Sequence, residues 1–190
     1  NTCDTRNSVT TRLARRRASW LASTAIAAAA IPLCLASGTS AWADNINWRR
    51  GLSWFDPTSW EGGVVPYVGD TAYIYSTGPN VDGDAWVSDL VVAGPNGSFT
   101  VKAGNSLTVD NSSKIGVGGN NFGTATITGP GATWDAGSIK LGYDKGVGKV
   151  TVSDGGKIEA YTFSVGDGAP GSSIAVTGAG TEFHSTAGGY

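Results

Sequence analysis

The chain has 190 residues, 29 of them glycine, with two cysteines, no methionine and a formal net charge of −2. That balance excludes the basic surface on which nucleic-acid binding depends, and the length suits one domain behind a leader. The missing methionine predicts a chain that lacks its natural start, and a repeat that runs uncapped to Tyr190 predicts more sequence beyond it.

Charge separates two parts. Before Asp44 stand Arg6, Arg12, Arg15, Arg16 and Arg17 against one acid, Asp4; from Asp44 onward eight basic residues face fourteen acidic ones. Residues 1–43 read as a secretory signal peptide, helical or disordered. They hold a positive segment at Arg12 to Arg17, an apolar Ala-rich core from Trp20 to Leu35, and small residues at Ala41 and Ala43 that place cleavage before Asp44. The core is short for a membrane span and is broken by Pro32. Leu33 before Cys34 does not fit a lipoprotein site, and the Arg16-Arg17 pair leaves open whether export is general or twin-arginine. Cys3 and Cys34 both fall in the leader, so the body has no disulfide and no thiolate metal site to offer an oxidising compartment.

Residues 44–87 read as an N-terminal capping segment. Asp56-Pro57 and Gly62-Gly63 mark turns, and a strand is expected from Ala72 to Tyr75. Trp48, Trp54 and Trp60 fall within 13 residues. Aromatic faces of this kind stack on sugar rings, but the first coil of a solenoid has no neighbour and must be covered. The lid is the favoured reading.

Residues 88–190 repeat. Ile115-Gly116-Val117-Gly118, Ile139-Lys140-Leu141-Gly142 and Phe163-Ser164-Val165-Gly166 recur at a step of 24, each followed by a Gly-rich turn and a second strand around Ile127, Val152 and Val176. A third apolar position follows at Trp134, Ile158 and Phe183. A fixed period in the twenties with strand chemistry indicates a solenoid. The expected fold is all-β: a three-sided parallel β-helix, right-handed as parallel crossovers are, of about four coils counted back to Leu90 and Val92. Its inner ladders are expected to be Val92-Val117-Leu141-Val165, Ile127-Val152-Val176 and Trp134-Ile158-Phe183. Gly118, Gly142 and Gly166 are expected at the end of each first strand, where a positive φ or a close neighbour favours glycine. Thr126, Thr151 and Lys140 are expected to face out. A one-residue wobble in the period is placed in the turn from Asp144 to Gly148.

The string from Trp54 through Pro57, Trp60, Gly62-Gly63, Pro66 and Gly69-Asp70 to Ala72 and Ile74 resembles the head of bacterial autotransporter passenger domains. The run from Ile127 to Trp134, with Leu141-Gly142-Tyr143 and the run from Val152 to Ile158, is similar to their β-repeats. The likeness covers the body of the chain and lacks the C-terminal barrel that defines a complete autotransporter. It implies a Gram-negative source, export across the inner membrane by its machinery, and passage through an outer-membrane β-barrel to the cell surface. There it implies a structural or adhesive passenger, with a ligand on a host or neighbouring cell.

Polysaccharide-cleaving enzymes also use β-helices, and their sites need clustered acids. Asp135, Asp144, Asp154, Glu159, Asp167 and Glu182 are expected in different turns, with no pair that the register forces together. His184 has no orienting acid at a known place and reads as solvated. Gly166-Asp167-Gly168 is a poor calcium repeat, and Gly116 to Gly119 lacks the helix of a dinucleotide site. No catalytic residue, metal or cofactor is indicated.

Overall fold

The computed structural model describes residues 43–166 and 170–187. Residues 1–42 of the expected leader, Ala41 included, lie outside them. The chain forms a parallel β-solenoid of about six turns. One sheet has the order β1-β2-β4-β6-β8-β10-β12 and the other β11-β9-β7-β5-β3. The strands are β1 Asn45–Asn47, β2 Thr71–Ile74, β3 Asn80–Val81, β4 Asp84–Ala93, β5 Gly97–Lys102, β6 Ser106–Val117, β7 Phe122–Thr128, β8 Thr133–Tyr143, β9 Val147–Ser153, β10 Lys157–Val165, β11 Ser173–Thr177 and β12 Glu182–Ser185.

Two sheets make three sides because the long strands of the first bend. In β8 the buried positions run Trp134, Ala136, then Ile139, Leu141. The alternation slips by one at Gly137-Ser138, and a slip of one sends side chains to the other side of the pleat. Only a bend there keeps both pairs inside. The same slip recurs in β4 between Val87 and Leu90, whereas in β6 Asp110 and Asn111 insert one extra residue as a bulge, so that the buried Val109 and Ser113 stand four apart. Gly137 sits under that bulge, and a Cβ on it would strike the backbone oxygen of Asp110. The corner is therefore built by a β-bulge against a glycine.

The interior consists of like-on-like ladders. The second is as expected and longer: Val81, Val101, Ile127, Val152 and Val176 are consecutive partners. So is the third, through Ala85, Leu107, Trp134, Ile158 and Phe183. Phe99 packs edge-on against Trp134, with ring centroids 5.2 Å apart. Each fully buried aliphatic residue contributes about 1.5–3 kcal/mol before chain entropy opposes it.

The first ladder differs from expectation. Val92 pairs with Ile115, not Val117, and the column runs Ile74, Val92, Ile115, Leu141, Val165. Val117 pairs with Tyr143 and is half-buried. The glycine equivalent to Gly142 is accordingly Gly116, not Gly118. Gly116 has φ 73°, and a Cβ there would meet the backbone of Val147. Beside this column runs another: Ile46, Ala72, Leu90, Ser113, Ile139, Phe163. Ser113 is the polar member, fully buried with its hydroxyl unpaired.

The expected count of about four coils is too low, because β1 and β2 already pair in register with β4. The segment taken as a cap thus contains solenoid rungs, and Asp44, the expected first mature residue, accepts a hydrogen bond from Thr71 N at 2.9 Å. The length change is also not an insertion at Asp144 to Gly148. The extra residue lies in the turn from Thr128 to Thr133: Ile127 and Trp134 are seven residues apart and Val152 and Ile158 six, while Leu141 to Val152 and Val165 to Val176 are both eleven.

The three tryptophans form one cluster beside the first strands. Trp48, Trp54 and Trp60 are all buried. Trp60 stands edge-on to both others at centroid distances of 5.0 and 4.9 Å. Its indole donates to Trp54 O at 2.7 Å, and that of Trp48 to Thr77 O at 3.1 Å. A one-turn 3-10 helix at Pro57–Ser59, capped by Asp56 accepting from Thr58 N, turns the chain so that Trp60 enters the cluster.

Gly142 has φ 77°, and a Cβ there would collide with Ser172 Oγ and approach Gly146 O at 2.9 Å. Lys140 is a half-buried strand residue with its ammonium over a tyrosine ring. Gly142→Val is expected to lower Tm by several degrees, a cost of about 2 kcal/mol or more, and Lys140→Val to change it little. Thermal unfolding followed by circular dichroism measures both; equal melting temperatures would refute this placement of Gly142.

Candidate functional site

The ladder residues face inward, so the chemistry of this molecule lies on its outside. On the third side the residue after each inner position points out. This gives the column Trp86, Thr108, Asp135, Glu159, His184, paired rung by rung. Parallel neighbours stand about 4.8 Å apart. Asp135 and Glu159 are therefore brought together by the register, against the sequence-based expectation that no acidic pair is. They lie in strands, not turns, and their offsets match: one after Trp134 and one after Ile158. That constant offset was the available signal.

The corner turns this column into a groove. An open cleft of about 340 Å³ is lined by Thr108, Asp110, Asp135, Gly137, Glu159, Tyr161 and Thr186, over the backbone of the inward-pointing Val109, Ala136 and Ala160. Gly137 keeps the corner clear. Asp110 reaches it from the bulge and accepts a hydrogen bond from Trp86 Nε1 at 2.7 Å. Trp86 and Tyr161 are 45% and 65% exposed, unlike the three lid tryptophans, whose burial leaves no ring face for a sugar.

The electrostatics are one-sided. Asp110, Asp135 and Glu159 are exposed and make no ion pair among the described residues. One column away, Lys157 pairs with Glu182 at 3.0 Å, and that hydrogen bond, with the charge behind it, holds the Glu182 carboxyl below its usual range. His184 is exposed, 3.6 Å from Glu182. Past the corner, Lys114 and Lys140 are partners and both sit over Tyr143, with Nζ 5.1 and 5.7 Å from the ring centroid. Acids thus line one side of the corner and lysines the other. No group of three or more metal-ligating side chains converges among the described residues.

Of the other singled-out positions, Val152, Ile158 and Leu141 are buried, whereas Val165 and Val176 on the last rungs are 42% and 44% exposed. Gly166 N donates to Leu141 O at 2.8 Å. No helix among the described residues is long and apolar enough to cross a membrane. Comparison with protein-family models, curated proteins and solved structures gave no match.

Like charges on directly opposed strand positions repel. Asp135→Asn is expected to stabilise the fold by a few tenths of a kcal/mol at low salt, and the gain should vanish at 1 M NaCl, where the screening length is about 3 Å. Urea unfolding at both salt concentrations checks this.

Proposed function

We propose that this chain is the passenger segment of an exported surface protein, a structural and adhesive β-solenoid carried to the outside of a Gram-negative cell through an outer-membrane barrel. The observation that supports it most is the rung-by-rung parallel stack. Each coil is completed by its sequence neighbour alone, and from Asp44 onward there is no cysteine to cross-link it early. A chain built this way passes a narrow pore extended and regains its core one coil at a time. Folding on the far side then opposes back-sliding. The resemblance of the tryptophan-bearing head and the repeats to autotransporter passengers agrees with it.

Thr126 and Thr151 are partners on adjacent rungs of β7 and β9 and point outward. Their spacing of about 4.8 Å falls within disulfide range. With the chain placed upstream of an outer-membrane barrel, the unaltered sequence is expected to reach the surface. Thr126→Cys with Thr151→Cys should stall it under oxidising conditions, and reductant should restore display. Surface proteolysis reads the outcome; retention of the unaltered chain inside the cell would count against the proposal.

A second reading, a secreted glycan-cleaving enzyme, draws support from Asp135 beside Glu159, since paired carboxylates serve as acid and base or nucleophile in glycoside hydrolysis. It predicts release of reducing ends from a polysaccharide and a loss of at least about a hundredfold in Glu159→Gln. Equal release by both proteins would exclude it.

A further inference from the structure

We infer that four outward side chains, Lys157 and Glu159 on β10 with Glu182 and His184 on β12, form a pH-operated clasp that fastens β12 to the coil beneath it in mildly acidic surroundings. The inference goes beyond the display reading and does not depend on it.

The clasp follows from register. Lys157 is the strand partner of Glu182, and Glu159 that of His184. Partners on adjacent rungs stand about 4.8 Å apart, and residues two apart along a strand share one face. The four side chains therefore mark the corners of a square, each with one neighbour across the rung and one along its own strand. With His184 protonated, positive and negative corners alternate and every edge joins opposite charges. With a neutral imidazole, the two edges that meet at His184 lose their attraction, while the two at Lys157 keep theirs.

Two edges already show contact. Lys157 Nζ lies 3.0 Å from Glu182 Oε2, and His184 Nε2 lies 3.6 Å from the same oxygen. Lys157 first, and then His184, hold the Glu182 carboxyl below its usual range. The edge from His184 to Glu159 is set by strand pairing. Glu159 makes no ion pair among the described residues, so a charged His184 is the cation it lacks. One rung further down, Asp135 is the partner of Glu159 and adds negative charge on the same line. Tyr161 and Thr186, the next outward residues, bring no cation.

The strand on which the clasp acts has a paired neighbour on one side only among the described residues. From within, Phe183 lies on Ile158 and stands edge-on to Phe163 at a centroid distance of 4.7 Å. Its backbone is tied by Glu182 N donating to Gly156 O at 3.1 Å, and just beyond it Thr186 N donates to Ala160 O at 3.0 Å. Thr186 also lines the corner cleft, so the clasp sets how firmly that wall is held. In ordinary surroundings imidazole is protonated below roughly pH 6.5, and glutamate is ionised above roughly pH 4.3. The square is complete between those limits. The paired strand holds the histidine proton more firmly than the opened one, so the added stability is lost as pH rises through the imidazole range.

The test is backbone amide exchange of the 190-residue chain at about pH 5.5 and about pH 7.5, either side of that range. Each rate is divided by that of an unstructured chain at the same pH. Protection of the Glu182 and Thr186 amides is expected to be roughly twofold to fivefold greater at the lower pH, as suits an exposed ion pair. His184→Gln should abolish the difference. His184→Lys, charged at both pH values, should give the higher protection at both. About 1 M NaCl should shrink the difference, since the screening length falls to about 3 Å. No difference in the unaltered protein, a difference that survives in His184→Gln, or His184→Lys behaving as His184→Gln each overturns the inference. His184 is exposed, and unchanged protection of the β7 amides shows that a variant is folded. Should a variant lose its fold, the salt comparison on the unaltered protein decides, and a difference undiminished by salt overturns the inference.

Discussion

The whole structure depends on parallel, in-register pairing between successive coils. It satisfies the backbone of each strand and at the same time places each inward side chain on its counterpart one rung below. Neither result is available to a single coil, which has too few apolar residues to enclose a core. The Val81 to Val176 column shows the principle plainly: five β-branched residues, each on a different coil, make one continuous apolar wall. Where the column meets its last rung, burial is lost with the missing neighbour, as Val176 shows beside Val152. Toward the first strands three indoles pack on one another and are buried.

The same pairing arranges the outside. Register carries any residue at a fixed offset from a ladder into a column on the surface, whether or not the neighbours suit one another. Threonines stack on threonines in the second sheet, lysine on lysine beside Tyr143, and acid on acid in the groove. The bend at Gly137 then folds one such column into a cleft. Interior geometry and exterior chemistry are therefore set by one periodicity, and the corner bulge at Asp110 both turns the strand and delivers a carboxylate to the site.

The period, the parallel fold and two of the three ladders were legible in the sequence, because strand alternation and a constant step suffice to define them. The first ladder was not. Ile115-Gly116-Val117-Gly118 reads the same when shifted by two, and a shift of two leaves every side chain on its own face. Only the lengths of the neighbouring turns and the bulge at Asp110 choose between the readings, and these have no periodic signal. The earliest coils escaped for a related reason. Eighteen residues separate Ala72 from its partner Leu90, where later coils use 23 to 26, and the tryptophan cluster interrupts the pattern. The acidic pair was missed because the acids were compared with turn positions; counted from the ladder instead, Asp135 after Trp134 and Glu159 after Ile158 occupy one site twice. Ser113 shows the cost of irregular coils: the length changes around β6 leave a hydroxyl in an apolar column, a loss of about 1–3 kcal/mol if it stays unpaired.

The graded burial from the indole cluster to the last described rung also gives the stack a direction. Val165 and Val176 are partly exposed, whereas Trp54 and Trp60 are buried and joined by an indole hydrogen bond. Local opening of this 190-residue chain therefore begins at β11 and β12 and reaches the tryptophan cluster last, so that backbone amides exchange with solvent in a gradient along the axis.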